Sequence, residues 1–212
     1  MSAAQSQPDV TRSLDDLKQW MQANGADAIV GGLRPGADEQ RLEQIEKLLG
    51  RRFPPTLRQL YLLHDGQQDR EALPFFGIDY VFADLEYGLQ LISGMVYAYF
   101  GVQQPAPNRF WAPGNPKPAI KQSDFHRRVV AACGMQPEEE TEGWWPLAAG
   151  GSSSYIAVNL DTGRVFFAEK DSPPLRLAGA SVGEFLAGYA RAVRSGEYEV
   201  EHDEVLGVHL MR

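Results

Sequence analysis

The chain has 212 residues, of which 43% are hydrophobic and 23% charged, and a formal charge of −8. That length suits one domain and that composition a packed core. An acidic surface repels phosphate backbones and anionic lipid, which argues against nucleic acid and membrane as direct ligands and favours a basic protein partner.

The single cysteine, Cys133, permits no internal disulfide and no cysteine-based zinc site, and reads as a small buried apolar residue. The opening "MSAAQSQPDVTRS" has no apolar signal core, and no apolar run approaches about 18 residues, so neither a secretory signal nor a membrane span is expected. The simplest compartment is the cytoplasm.

In chain order, residues 1–12 are polar and read as a frayed, flexible end, with a single domain over 13–212. Ser13 opens a helix, with Asp16 in the capping-box position and Leu14, Leu17, Trp20 and Met21 at helical spacing. Asn24-Gly25 stops it, and "GGLRPGAD" is a linker. A second helix is predicted from Asp38 to Leu49, with Leu42, Ile45, Leu48 and Leu49 as its stripe and Gly50 after its end. Pro54 and Pro55 break the chain, and Pro55 opens a third helix bearing Leu57, Leu60 and Tyr61. "LPFFGIDYVF" (73–82) is aromatic and β-prone. Asp84 caps a helix to about Phe100.

Residues 101–121 carry five prolines, Pro105, Pro107, Pro113, Pro116 and Pro118, and read as a loop or insertion. Ser123 opens a short helix, and "MQPEEETEG" is an acidic loop. In "WWPLAAGGSSSYIAVNLDTGRVFF" (144–167), Tyr155–Leu160 alternates with period two, as a half-buried strand does. "DTGR" turns the chain into a returning strand at Val165–Ala168. "LRLAG" is one more short strand. Ser181 and Glu184 make a capping box ahead of Phe185, Leu186, Tyr189 and Val193, and the tail "EYEVEHDEVLGVHLM" folds as a terminal hairpin. Helices first, then a strand-rich half with a packed helix, is an α+β chain whose sheet is mainly antiparallel.

Several groupings resemble chemistry. The Gly150–Ser154 run lacks the lysine and following helix of a phosphate loop, and the final glycine of a nucleophile elbow; a strand follows it, so it reads as a strand-entry loop. His64-Asp65 suits a metal pair, but Gly66 explains it as a helix end where histidine is welcome. His202, Asp203 and His209 are a weaker metal candidate in an acidic tail. No metal and no cofactor is expected. The acidic runs, Glu138, Glu139, Glu140 and Glu142 in one loop and Glu197–Glu204 in the tail, are the better candidates for meeting a basic partner. Phe110 and Trp111, aromatics in the proline-rich loop, are candidate interface anchors.

Three blocks carry a family likeness. "LRPGADEQRLEQIEKLLGRRFPPTLRQLYLLHDGQ" (33–67) ends in His64-Asp65-Gly66; the 144–167 block holds Trp145-Pro146 and the Asp161–Gly163 turn; "LAGASVGEFLAGYARAVRSGEYEV" (177–200) holds Glu184-Phe185. In that order they resemble the SUKH superfamily, named partly after the fungal Smi/Knr-like cell-wall assembly regulator. The likeness spans about residues 13–212, thinly over 101–143. Where the family often has Asp or Asn before the strand, this chain has Ala149 and Ser154. The resemblance implies an α+β domain, no catalysis, and signature residues that serve the scaffold. It implies a protein-binding role: in bacterial members, immunity to a cognate toxin of a polymorphic toxin system; in fungal ones, a regulatory scaffold for signalling and cell-wall synthesis. The immunity role is the expected one, with a toxin of basic surface as partner.

Overall fold

The fold is taken from a computed structural model of the chain, and it describes residues 8–68, 74–77, 79–100, 143–151, 154–168, 176–203 and 207–211. Helix α1 (Val10–Ala23) begins three residues ahead of Ser13, because Asp9 is the N-cap: its carboxylate accepts the Thr11 N–H at 2.9 Å. Ser13 sits inside the helix and is buried with Val10, Leu14, Leu17 and Met21. A short helix, α2 (Asp27–Gly31), follows and buries Ile29.

Helix α3 (Glu39–Leu49) is capped by Asp38 and closed by Gly50 at φ +64°, as its sequence demands. Its stripe is narrower than the apolar spacing implies, since Leu48 is 48% exposed. Helix α4 (Pro55–Leu63) starts on Pro55 and buries Leu57, Leu60 and Tyr61. Among its described residues, the β-prone 73–82 stretch contributes only a two-residue strand, β1 (Val81–Phe82), with an isolated Phe76–Tyr80 bridge before it. Phe75 and Phe76 are both buried, so this stretch does not alternate as a strand. Helix α5 (Leu85–Phe100) has the predicted cap, with the Asp84 carboxylate accepting the Tyr87 N–H at 2.8 Å.

The sheet is the main departure. Trp144–Ala149 is itself a strand, β2, not a lead-in to one. Pro146 is accommodated because the register shifts between Pro146 and Ala148, and such a bulge tolerates a residue without an N–H. Strands β3 (Tyr155–Asn159), β4 (Val165–Ala168) and β5 (Arg176–Gly179) complete a five-stranded antiparallel sheet of order β1-β2-β3-β4-β5.

Strand β3 is buried on both faces, where alternation suggests one. Ile156 and Val158 join the main core shared with α1, α3, α4 and helix α6 (Val182–Arg194). Tyr155 and Ala157 join a second cluster with Trp144 and Phe166, against which Leu91 of α5 packs. The predicted terminal hairpin forms as β6 (Glu199–Asp203) and β7 (Gly207–Met211), a separate two-stranded ribbon. The architecture is α+β: N-terminal helices, an antiparallel sheet and a packed C-terminal helix.

Candidate functional site

The signature residues converge at three junctions. The first is the end of α4. His64 is the C-cap residue; its Nδ1 lies 2.8 Å from the Arg34 carbonyl and its Nε2 lies 3.3 Å from Lys18 Nζ. Asp65 donates its N–H to the Pro35 carbonyl, and its carboxylate accepts the Leu85 N–H at the start of α5. Burial raises the Asp65 pKa above the carboxylate norm; the Leu85 N–H and Arg34 oppose that shift.

Gly66, at φ +71°, accepts the Arg34 N–H and lies against Asp84: a Cβ here would sit 2.3 Å from the Asp84 nitrogen. Only glycine fits that approach. The next residue, Gln67, is buried, and its Oε1 accepts from the N–H groups of Phe75 and Phe82. His64-Asp65-Gly66-Gln67 thus ties segment 32–37, α4, β1 and α5 together. Gln67 carried no signal in the sequence, because an amide beside a helix end is equally at home in water.

The second junction is aromatic. Trp145 Nε1–H donates to Tyr61 Oη at 2.9 Å, and the Tyr61 O–H donates to the Ala83 carbonyl at 3.0 Å. Phe53 lies 4.8 Å from the Trp145 ring, and Gly88 of α5 leaves room for that indole. Burial drives the Tyr61 phenol pKa far above its usual range, so it stays protonated. The side chains of Trp145 and Tyr61 are hydrogen-bonded core members with no face left for a ligand.

The third is the Asp161–Gly163 turn between β3 and β4. The Asn159 Oδ1 accepts from the N–H groups of Asp161 and Thr162, and Gly163 adopts φ +77°. Arg51 ion-pairs with Asp161, so the turn docks on the connector between α3 and α4. Beside it a cleft of about 860 Å³ opens between α3 and α4, with Phe53 and Pro55 among its lining residues. Among its lining residues Arg58 bonds Glu46 at 2.8 Å, and Arg58 also reaches Glu39 on α3.

On α6, Ser181 Oγ accepts the Glu184 N–H as a capping box requires, but the Glu184 carboxylate accepts from Ala180 one residue earlier than the motif implies. Phe185 packs 5.4 Å from Phe76 and 6.1 Å from Phe167.

The catalytic and metal alternatives meet plain geometry. Gly150, just after β2, donates its N–H to the carbonyl of Ser154, just before β3, at 2.8 Å; Ser152 and Ser153 lie outside the described residues. The ribbon register sets Glu201 opposite His209 and His202 opposite Val208, which puts the two histidines on opposite faces. Among the described residues, no three His, Cys, Asp or Glu side chains group closely enough to hold a metal. No helix among them is long and apolar enough to cross a membrane. Phe110, Trp111, Glu138, Glu139, Glu140 and Glu142 lie outside the described residues. The tail acids Glu197, Glu199 and Glu201 are exposed along β6 and its approach.

So the three blocks form one interlocked scaffold, and comparison with known families agrees: residues 36–188 match the SMI1 / KNR4 family (SUKH-1). The chain belongs to that family. A search of curated proteins finds no match. The matched SUKH-1 span contains the second and third junctions, His64 to Gln67 of the first, and Glu184-Phe185; Lys18, Arg34 and Pro35 precede it, and it stops short of the β6–β7 ribbon.

Proposed function

We propose that this SUKH-1 chain is a non-catalytic protein-binding domain acting as an immunity protein, which binds and neutralises the cognate toxin of a bacterial polymorphic or contact-dependent toxin system. One observation carries the non-catalytic reading: the polar side chains of the family signature are engaged in holding the scaffold. His64 and Asp65 bond backbone groups across three segments, Asp161 pairs with Arg51, and Glu184 caps a helix. Such residues keep the fold and leave variable surfaces to choose the partner.

The charge of −8 supports a basic partner. Many nucleic-acid-cleaving toxins present cationic clefts, and carboxylates placed there mimic phosphates and speed encounter. On this reading Glu138, Glu139, Glu140 and Glu142 supply the charge and Phe110 and Trp111 the aromatic anchor. The same proteins in the cytoplasm would shield the producing cell.

The test is co-expression with the product of the adjacent gene. Growth rescue together with a co-purifying complex supports immunity. The absence of both binding and protection refutes it. Capture of envelope-synthesis or signalling proteins, with no toxic neighbour, would instead favour a regulatory scaffold like the fungal members.

A further inference from the structure

We propose that His64 is a pH-sensitive latch that fastens α1 to the end of α4 and to segment 32–37 only while its imidazole is neutral. The geometry sets the protonation state. An ammonium has only protons to offer, so Nε2, 3.3 Å from Lys18 Nζ, must be the acceptor. The ring proton therefore sits on Nδ1, which donates to the Arg34 carbonyl at 2.8 Å. Both nitrogens are used, and they join residues 46 and 30 positions apart in the chain.

Proton uptake would convert Nε2 into a donor aimed at a cation. The groups facing the ring are Lys18 and Asp15 from α1 and the Arg34 carbonyl from segment 32–37, with Asp65 next to it on its own strand of chain. Asp15 lies 3.7 Å from Lys18 and is ready to receive the displaced ammonium. Burial of His64 holds its pKa below the ordinary value; Lys18 adds to that, while the Arg34 bond and Asp15 oppose it.

The sign follows from linkage. With the folded pKa depressed, the contact is intact above the ordinary histidine value of about 6.5, and stability is lost as pH falls from there through the folded pKa. The loosened parts are α1 around Lys18 and the strap 32–37, whose ties are Arg34 N–H to Gly66, Ala37 N–H to Tyr61 and Asp65 N–H to Pro35. This latch is independent of any partner, so it stands or falls separately from the immunity reading.

The experiment is an NMR titration of the full chain from pH 8 to pH 5, following imidazole nitrogens and amide exchange. The expected result is an Nδ1-protonated His64 at neutral pH with a depressed pKa. Below about pH 6.5, the corrected protection of the Arg34, Ala37 and Asp65 amides should fall by up to about tenfold per pH unit until the ring titrates. Flat protection, or a His64 that titrates normally, overturns the latch without any variant. His64→Gln, whose amide can donate and accept without titrating, should keep the neutral-pH protection and remove its pH dependence; an unchanged dependence also overturns the proposal. Lys18→Met should raise the His64 pKa, and an unmoved value counts against the role given to Lys18.

Discussion

The central strand β3 and the terminal ribbon β6–β7 both alternate in sequence, yet they occupy opposite situations. In β3 the alternation is between two kinds of apolar residue, and both faces are covered: Ile156 and Val158 by the main core, Tyr155 and Ala157 by the second cluster. In β6 it is between charge and hydrocarbon. Val200 packs on the core while Glu199 and Glu201 face water. A strand buried on both sides has no surface to offer a partner and defines the fold. A ribbon buried on one side keeps a face whose residues can change without disturbing the core. The family match ends before the ribbon, which fits that division.

The contrast can be broken most severely at Trp145. Trp145→Ala removes a fully buried indole, its tilted ring contact with Phe53 and its hydrogen bond to Tyr61, and should cost about 3–5 kcal/mol in urea unfolding. A loss under about 1 kcal/mol would show that the junction is not the scaffold's centre. Next comes Gly66→Ala. The left-handed backbone and the Cβ approach to Asp84 together predict a loss of about 2–4 kcal/mol, read as a lowered Tm. An unchanged Tm would mean that the Asp84 segment yields easily.

Arg51→Ala opens the ion pair to Asp161. Both side chains are partly exposed, at 26% and 31%, so the expected cost is no more than about 1 kcal/mol and should shrink in high salt. The smallest effect is expected on the ribbon. Glu199→Lys should alter stability by about 0.5 kcal/mol or less. If β6 meets a basic partner, the same change slows association, measured by surface-immobilised binding kinetics at low salt. A Glu199→Lys chain that unfolds readily would erase the distinction between ribbon and core.

Much of this was readable from local rules. Asp38, Asp84 and Ser181 cap the helices assigned to them, Gly50 closes α3, and Asp161–Gly163 turns β3 into β4. Each device acts over a few residues, so a short stretch of sequence contains all of it. The errors came where two local rules competed. Asp9 and Ser13 are both good caps, and burial of Ser13 against the rest of the molecule placed the start at Asp9. Trp144–Ala149 stands ahead of the strand expected at Tyr155, but pairing with β3 on one side and β1 on the other makes it a strand, with a bulge after Pro146. Leu48 belongs to the apolar stripe by spacing, but the packing of α3 leaves it in solvent.

The candidate site divides in the same way. That His64, Asp65, Gly66, Trp145, Asp161 and Glu184 matter to the scaffold was visible as motif; what each one touches was not. The sequence by itself determined most element types, the starts of α3, α5 and α6 at Asp38, Asp84 and Ser181, the Asp161–Gly163 turn, the acidic balance and the family, because these depend on neighbours along the chain. Only the tertiary structure decided that Trp145 meets Tyr61, that Asp161 meets Arg51 and that His64 stands between Lys18 and Arg34. Those partners lie 30 to 110 residues apart, and burial and hydrogen-bond satisfaction select them from many chemically equivalent choices only once the chain has closed.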